Sequence, residues 1–312
     1  MPSRYLPPST VSRLGNLTMV ARLVVEGFLA GQHKSPFFGF NVEFSEHRQY
    51  MPGDDLKHLD WKLWGKSDKY YIKQYEENTS LKCFILMDIS NSMNFASSSG
   101  RGTGLGQLDP GANDGVRVSK LAYARYLTAA LSFLMLHQKD SVGVCTFSDR
   151  VHEMIHPRST PSHLHLILEA IDRASSGEQT ECSKIIEQVA ARLTRRALVI
   201  IISDFFDDQQ ALMKGVRYLK YLKHEPILFQ ILAPDELDLP LNDVTHFVDM
   251  EDRSNLVLDP RILREDYRQR MQQFIGQISS ECNFHKIDHQ VFKTSDPLEL
   301  ALSRYLLRRS RA

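Results

Sequence analysis

Hydrophobic positions in this chain concentrate in two short, unbroken runs. Residues 83–87 (Cys-Phe-Ile-Leu-Met) lead into Asp88-Ile-Ser90-Asn-Ser92, and residues 197–202 lead into Ser203-Asp204. Runs this short and this apolar predict strands buried on both faces of a parallel sheet. Further strands are predicted at 142–147, 151–155 (an edge), 227–232, 244–250 and 284–289. Helix-period patterns separate them at 116–137, 161–174, 181–193, 208–222, 260–281 and 297–309. Pro161 suits a first helical position. Strand–helix alternation over residues 81–312 predicts an α/β fold. Its core is a doubly wound, mostly parallel central sheet flanked by helices, of Rossmann type. Residues 1–80 form an N-terminal extension. Ser9 or Thr10 caps a helix to about residue 29, with Leu14, Leu17, Ala21, Val24 and Phe28 on one face. Strands at 42–48 and 70–76 follow.

Two stretches break this rhythm. Residues 95–115 are rich in Gly and Ser, cannot bury a core, and are expected to form a mobile loop. A Gly-x-Gly-x-Gly lies within, but no Gly-Lys-Ser/Thr follows, so a phosphate-binding loop is not expected. The segment Arg48–Lys62 carries the turn Pro-Gly53-Asp54-Asp55. Trp61, beside that turn, and Trp64 are the two tryptophans of the chain. They are expected to anchor it by packing.

Charge narrows the function classes. Lys+Arg and Asp+Glu each number 38, so no global basic field favours nucleic acid or an anionic membrane. No stretch is apolar for long enough to span a bilayer. Cys83, Cys145, Cys182 and Cys282 are widely spaced without C-x-x-C, which points to a reduced, cytoplasmic protein without a zinc site.

The candidate chemistry lies where the two apolar runs end. Asp88, Ser90 and Ser92 leave one strand and Asp204 leaves the other, at the edge where open α/β sheets bind ligands. Thr180 stands near the start of the helix between them. All five donors are hard oxygens, a set that suits Mg²⁺, with Mn²⁺ as an alternative. Plain capping also accounts for parts of the pattern: Asp88 can cap the next helix and Thr180 its own.

The order Asp88-x-Ser90-x-Ser92, Thr180, Asp204 resembles the metal-ion-dependent adhesion site of von Willebrand factor A-type domains. Upstream, Phe38-Gly39-x-x-x-Glu43-Phe44, Arg48-x-Tyr50-x-x-Gly53-Asp54-Asp55 and Asp60-Trp61-Lys62 are similar to the bacterial family called domain of unknown function 58. Thr294-Ser-Asp296-Pro297 and Leu306-x-x-Arg309 also suit it. The resemblance implies that Ser90, Ser92 and Thr180 contact the metal, with Asp88 and Asp204 acting directly or through water. It further implies a metal-dependent protein–protein interaction module. An Asp or Glu of a partner completes the coordination, and the partner is a MoxR-type AAA+ ATPase, in an adaptor or co-chaperone role. The chain itself carries no Walker motif.

Two other readings compete. One is a Mg²⁺-dependent phosphoester hydrolase, opposed by the absence of any lysine, arginine or histidine beside the motif pieces. The other is a scaffold without metal, whose oxygens only cap helices.

Overall fold

The computed structural model describes residues 17–18, 21–22, 25, 47–49, 70–73, 82–97, 118–175, 182–248 and 255–309. Thr180, Trp61, Trp64, the Gly/Ser stretch from 98 onward and most of the Arg48–Lys62 segment lie outside them. The chain divides into two compact units, residues 36–80 and the remainder. In the smaller unit β1 (His47–Gln49) pairs antiparallel with β2 (Tyr71–Lys73).

In chain order the larger unit has β3 (Lys82–Asp88), a 3-10 turn (Asn91–Asn94), α1 (Lys120–His137), β4 (Ser141–Phe147) and β5 (Val151–Arg158). Then come α2 (His163–Arg173), α3 (Cys182–Arg192), β6 (Leu198–Ser203), α4 (Gln209–Tyr221), β7 (Glu225–Leu232) and α5 (Pro234–Asp238). Last are β8 (Thr245–Val248), β9 (Asn255–Leu258), α6 (Pro260–Phe284), β10 (Asp288–Lys293) and α7 (Leu298–Arg309).

The central sheet runs β10-β7-β6-β3-β4-β5, parallel except for β5, which is antiparallel at its edge. Strand β3 lies inside the sheet, and its alternate residues build two cores. Cys83, Ile85 and Met87 face one apolar layer with Leu121 and Leu127 of α1, Ile167 of α2 and Leu298 of α7. Phe84 and Leu86 face the other, with Ile185 of α3, Leu212 of α4 and Ile278 of α6. Burial on both faces is why the strand reads as a continuous apolar run. Each large side chain so buried contributes about 1.5–3 kcal/mol. Leu17 and Ala21 pack against Ala129 of α1 and Leu168 of α2, so this N-terminal helical segment joins the larger unit.

Several boundaries differ from expectation. Pro161 sits in a turn, and α2 starts two residues later at His163. Phe284 ends α6 rather than starting a strand, because the helix continues until Cys282 is buried, and Lys286 turns the chain at φ 54°. Residues 245–248 pair with β9 in a separate antiparallel hairpin, outside the central sheet. Their alternating, half-exposed pattern, with Val248 52% and Val257 65% exposed, is that of a surface hairpin. Helix α5 is short and was not anticipated.

Gly143 marks the tightest point of the sheet. A Cβ there would lie 2.5 Å from the Ile155 carbonyl oxygen, 2.8 Å from the Pro157 nitrogen and 2.9 Å from the Phe84 ring. Backbone atoms supply two of these contacts, and the β4–β5 register shifts between Val142 and Val144. Gly143→Ala is therefore expected to cost about 1–3 kcal/mol or more through overpacking, read as a lowered urea midpoint. An unchanged midpoint would contradict this account of the β4–β5 crossing.

Candidate metal centre

Strands β3 and β6 are direct neighbours, with Met87 opposite Ile202. Asp88 and Ser203 therefore emerge side by side. From β3 the sheet grows one way through β4 and β5 and the other way through β6, β7 and β10, so their ends define the switch point. Ser203 Oγ donates to Asp88 Oδ2 at 2.6 Å, and the Ser90 amide donates to Asp88 Oδ1 at 2.8 Å. Both donors are neutral. Ser203 Oγ also accepts the Phe205 amide at 3.0 Å, with Phe205 held at φ 59°. Ser90 Oγ and Ser92 Oγ lie 3.0 Å apart. Asp88 and Ser90 are fully buried.

Asp204 is 2% exposed. Its Oδ1 accepts the Phe206 amide at 3.2 Å, and its backbone carbonyl accepts Gln230 Nε2 at 3.0 Å. Its Oδ2 accepts Lys120 Nζ at 2.7 Å. Lys120, at the first turn of α1, is fully buried. It also donates to Glu236 Oε1 at 2.5 Å, and Glu236 Oε2 accepts the Ala233 amide at 2.8 Å.

The charges do not cancel. Asp88, Asp204 and Glu236 carry three formal negative charges, and Lys120 offsets one. Burial, then the nearby charge of Asp204, pushes the Asp88 carboxyl up to about 7. Burial likewise raises Glu236, against the pull of Lys120. Burial opposes the charge on Lys120, but Asp204 and Glu236 outweigh it and hold the ammonium above its ordinary pKa. With all three ionised the carboxylates outnumber Lys120 by two, and burial relieves part of that excess by raising Asp88 and Glu236.

Of the five sequence candidates, Asp88, Ser90 and Ser92 gather at one strand end, and Asp204 acts electrostatically on Asp88 from the neighbouring one. Thr180 lies outside the described residues. Cys182, two positions on, begins α3, and its amide donates to Asp207 Oδ2 at 3.0 Å. Its thiol is pushed well up, by burial first and then by the charges of Asp88, Asp207 and Asp204. Among the described residues no three His, Cys, Asp or Glu side chains are placed to hold a metal together. Any cation here would rest on hydroxyls and one or two carboxylates. That is a hard-oxygen set of the kind that suits Mg²⁺, which keeps much of its water.

Ser203, Lys120 and Glu236 escaped sequence reasoning, and Lys120 corrects the expectation of no cation beside the motifs. A signal was available. A lysine in the first turn of a helix opposes the macrodipole and calls for a nearby anion. A helix read from 116 puts Lys120 a turn too deep for that signal to show, whereas the helix starts at Lys120 itself.

Beside β3, Ser148 Oγ lies 2.7 Å from His152 Nε2 and donates to Asp149 Oδ1 at 2.8 Å. These residue types suggest a hydrolytic triad, but the geometry denies it. The single hydroxyl proton goes to Asp149, which is held ionised below its ordinary pKa, first by that bond. Asp149 thus bonds the serine hydroxyl instead of the far imidazole nitrogen, and does not orient His152 as the third member of a triad does. The four cysteines are free and buried. No helix among the described residues is long and apolar enough to cross a membrane.

Comparison with known proteins places this geometry in context. The model of a family described as "Protein of unknown function DUF58" matches residues 46–103 and 111–274. "Uncharacterized protein Rv1480" of Mycobacterium tuberculosis is 24% identical over 269 residues, covering 83% of this chain and 77% of that protein. "Uncharacterized protein Mb1516" of Mycobacterium bovis matches to the same extent. Among solved structures, the conserved hypothetical protein BatB from Bacteroides thetaiotaomicron is similar at 16% identity and a TM-score of 0.46. That match covers 74% of this chain and all of BatB. An aerotolerance-related membrane protein from Bacteroides fragilis matches at 17% identity and a TM-score of 0.45, covering 73% of this chain and 99% of that one.

Proposed function

The chain belongs to the DUF58 family, and from that premise we propose that it is a metal-dependent protein–protein interaction module. In this reading the larger unit is a von Willebrand factor A-like domain with a metal-ion-dependent adhesion site. Asp88, Ser90, Ser92, Thr180 and Asp204 hold Mg²⁺ or Mn²⁺. When bound, the ion supplies a positive point at which a partner's Asp or Glu can be accepted. The protein's own groups prepare that point. Ser203 and the Ser90 amide fix the Asp88 carboxylate, Lys120 fixes Asp204, and burial keeps bulk water from screening either charge. The partner is a MoxR-type AAA+ ATPase, and the role is that of a cytoplasmic adaptor or co-chaperone.

The observation that carries this reading is the uncancelled charge. Two adjoining strand ends bring the buried carboxylates Asp88 and Asp204 next to paired serine hydroxyls, and the one ammonium there, Lys120, is shared between Asp204 and Glu236 of α5. A scaffold whose oxygens only cap helices has no use for that excess. A hydrolase is not favoured, because Lys120 is fully buried and committed to Asp204 and Glu236, leaving it unable to reach a phosphoryl group.

Millimolar Mg²⁺ or Mn²⁺ is expected to raise the melting temperature, because a ligand that binds only the native state stabilises it by mass action. The ATPase is expected to be retained on immobilised protein with Mg²⁺ and lost with EDTA. No thermal response to either ion, together with equal retention in EDTA, would remove the metal bridge.

A further inference from the structure

We infer that Lys120 is a resident counter-ion that ties the occupancy of the cation site to α5, a positioning role that rests on the reading above. One buried ammonium bridges Asp204 Oδ2 at 2.7 Å and Glu236 Oε1 at 2.5 Å. It also lies 5.0 Å from the Phe206 ring centre and 5.9 Å from that of Phe95. Glu236 is no loose acceptor. Its other oxygen holds the Ala233 amide, and its backbone carbonyl accepts Tyr267 Oη of α6 at 2.8 Å. Its neighbour Asp235 accepts the Ser97 hydroxyl. Helix α5 is thereby fastened to α1, to α6 and to the strand-end segment 95–97.

A divalent ion and an ammonium drawn to the same Asp204 carboxylate repel each other. Loading the site weakens the hold of Asp204 on Lys120 and strengthens that of Glu236. Low-dielectric surroundings make this redistribution large, since little water intervenes. The cation site and α5 are then linked through one side chain, with no displacement of the sheet required.

Amide hydrogen exchange of the full chain, with EDTA or with Mg²⁺, tests this on the peptide spanning Pro234–Asp238, alongside Mg²⁺ calorimetry. In the unsubstituted protein Mg²⁺ slows exchange there. Lys120→Met binds Mg²⁺ about tenfold tighter or more, having lost a competing charge, and its α5 exchange no longer responds. Glu236→Gln binds Mg²⁺ more weakly, and its α5 exchange is also silent. It carries the test if Lys120→Met does not fold. Mg²⁺ binding with unchanged α5 exchange, or a response persisting in Glu236→Gln, would overturn the coupling alone. No Mg²⁺ binding at all would overturn the site and the coupling together.

Discussion

Lys120→Met is expected to lower the stability of the protein in EDTA by about 3–5 kcal/mol. The methionine fills nearly the same volume, so little packing is lost. What is lost is the one cation that, among the described residues, pairs with Asp204 and Glu236, whose side chains are 3% and 13% exposed. Removing one member of a buried ion group strands the others in a medium that solvates them poorly. The triple variant Lys120→Met, Asp204→Asn, Glu236→Gln provides the control. It removes the charges together and should recover much of the loss. Urea unfolding of both variants measures the difference. A cost below about 1 kcal/mol for Lys120→Met, the range of a surface pair, would mean that the ammonium is solvated and the site is open.

Asp88→Asn is expected to act in the opposite direction. The folded-state pKa of Asp88, at about 7, is raised above its unfolded value, first by burial and then by Asp204. The folded protein therefore holds a proton that the unfolded chain releases between about pH 4 and pH 7. Over that window stability falls as pH rises, by up to about 1.4 kcal/mol per pH unit from this group. Below the window the group imposes no penalty, and above pH 7 the penalty is complete. Asparagine accepts the Ser90 amide without ionising. Without metal, the variant should thus be more stable than the parent at pH 8, on the order of 2–4 kcal/mol, and similar to it near pH 4. The same substitution should abolish the Mg²⁺-induced rise in melting temperature. A parent protein that loses no stability between pH 4 and pH 7 in EDTA, relative to Asp88→Asn, would contradict the buried, unneutralised carboxylate.

The sheet was legible because its inner strands are buried on both faces. Cys83–Met87 and Leu198–Ile202 carry no alternation, as a strand buried on both faces requires. The hairpin at β8 and β9 was half seen, because Thr245–Val248 has a strand's alternation wherever it pairs. Period alone does not name the partner strand. The acidic members of the site were readable because each ends an apolar run. Lys120 and Glu236 were not, since Lys120 lies within an ordinary helical pattern and Glu236 falls in a stretch where no element is predicted. Their meaning arises from contacts across 84 and 116 residues of chain. Sequence reading finds groups that a single element positions, and it misses groups that two elements position jointly.

The sheet order has a consequence for how the molecule is made. Ser203 and Asp88 meet across 115 residues, and β3 cannot gain its β6 neighbour until α1, β4, β5, α2 and α3 have been synthesised. Pairings that close such long loops are slow to form. A nascent chain released before β6 exposes one side of β3 as an unpaired, apolar edge, a surface prone to association with other chains.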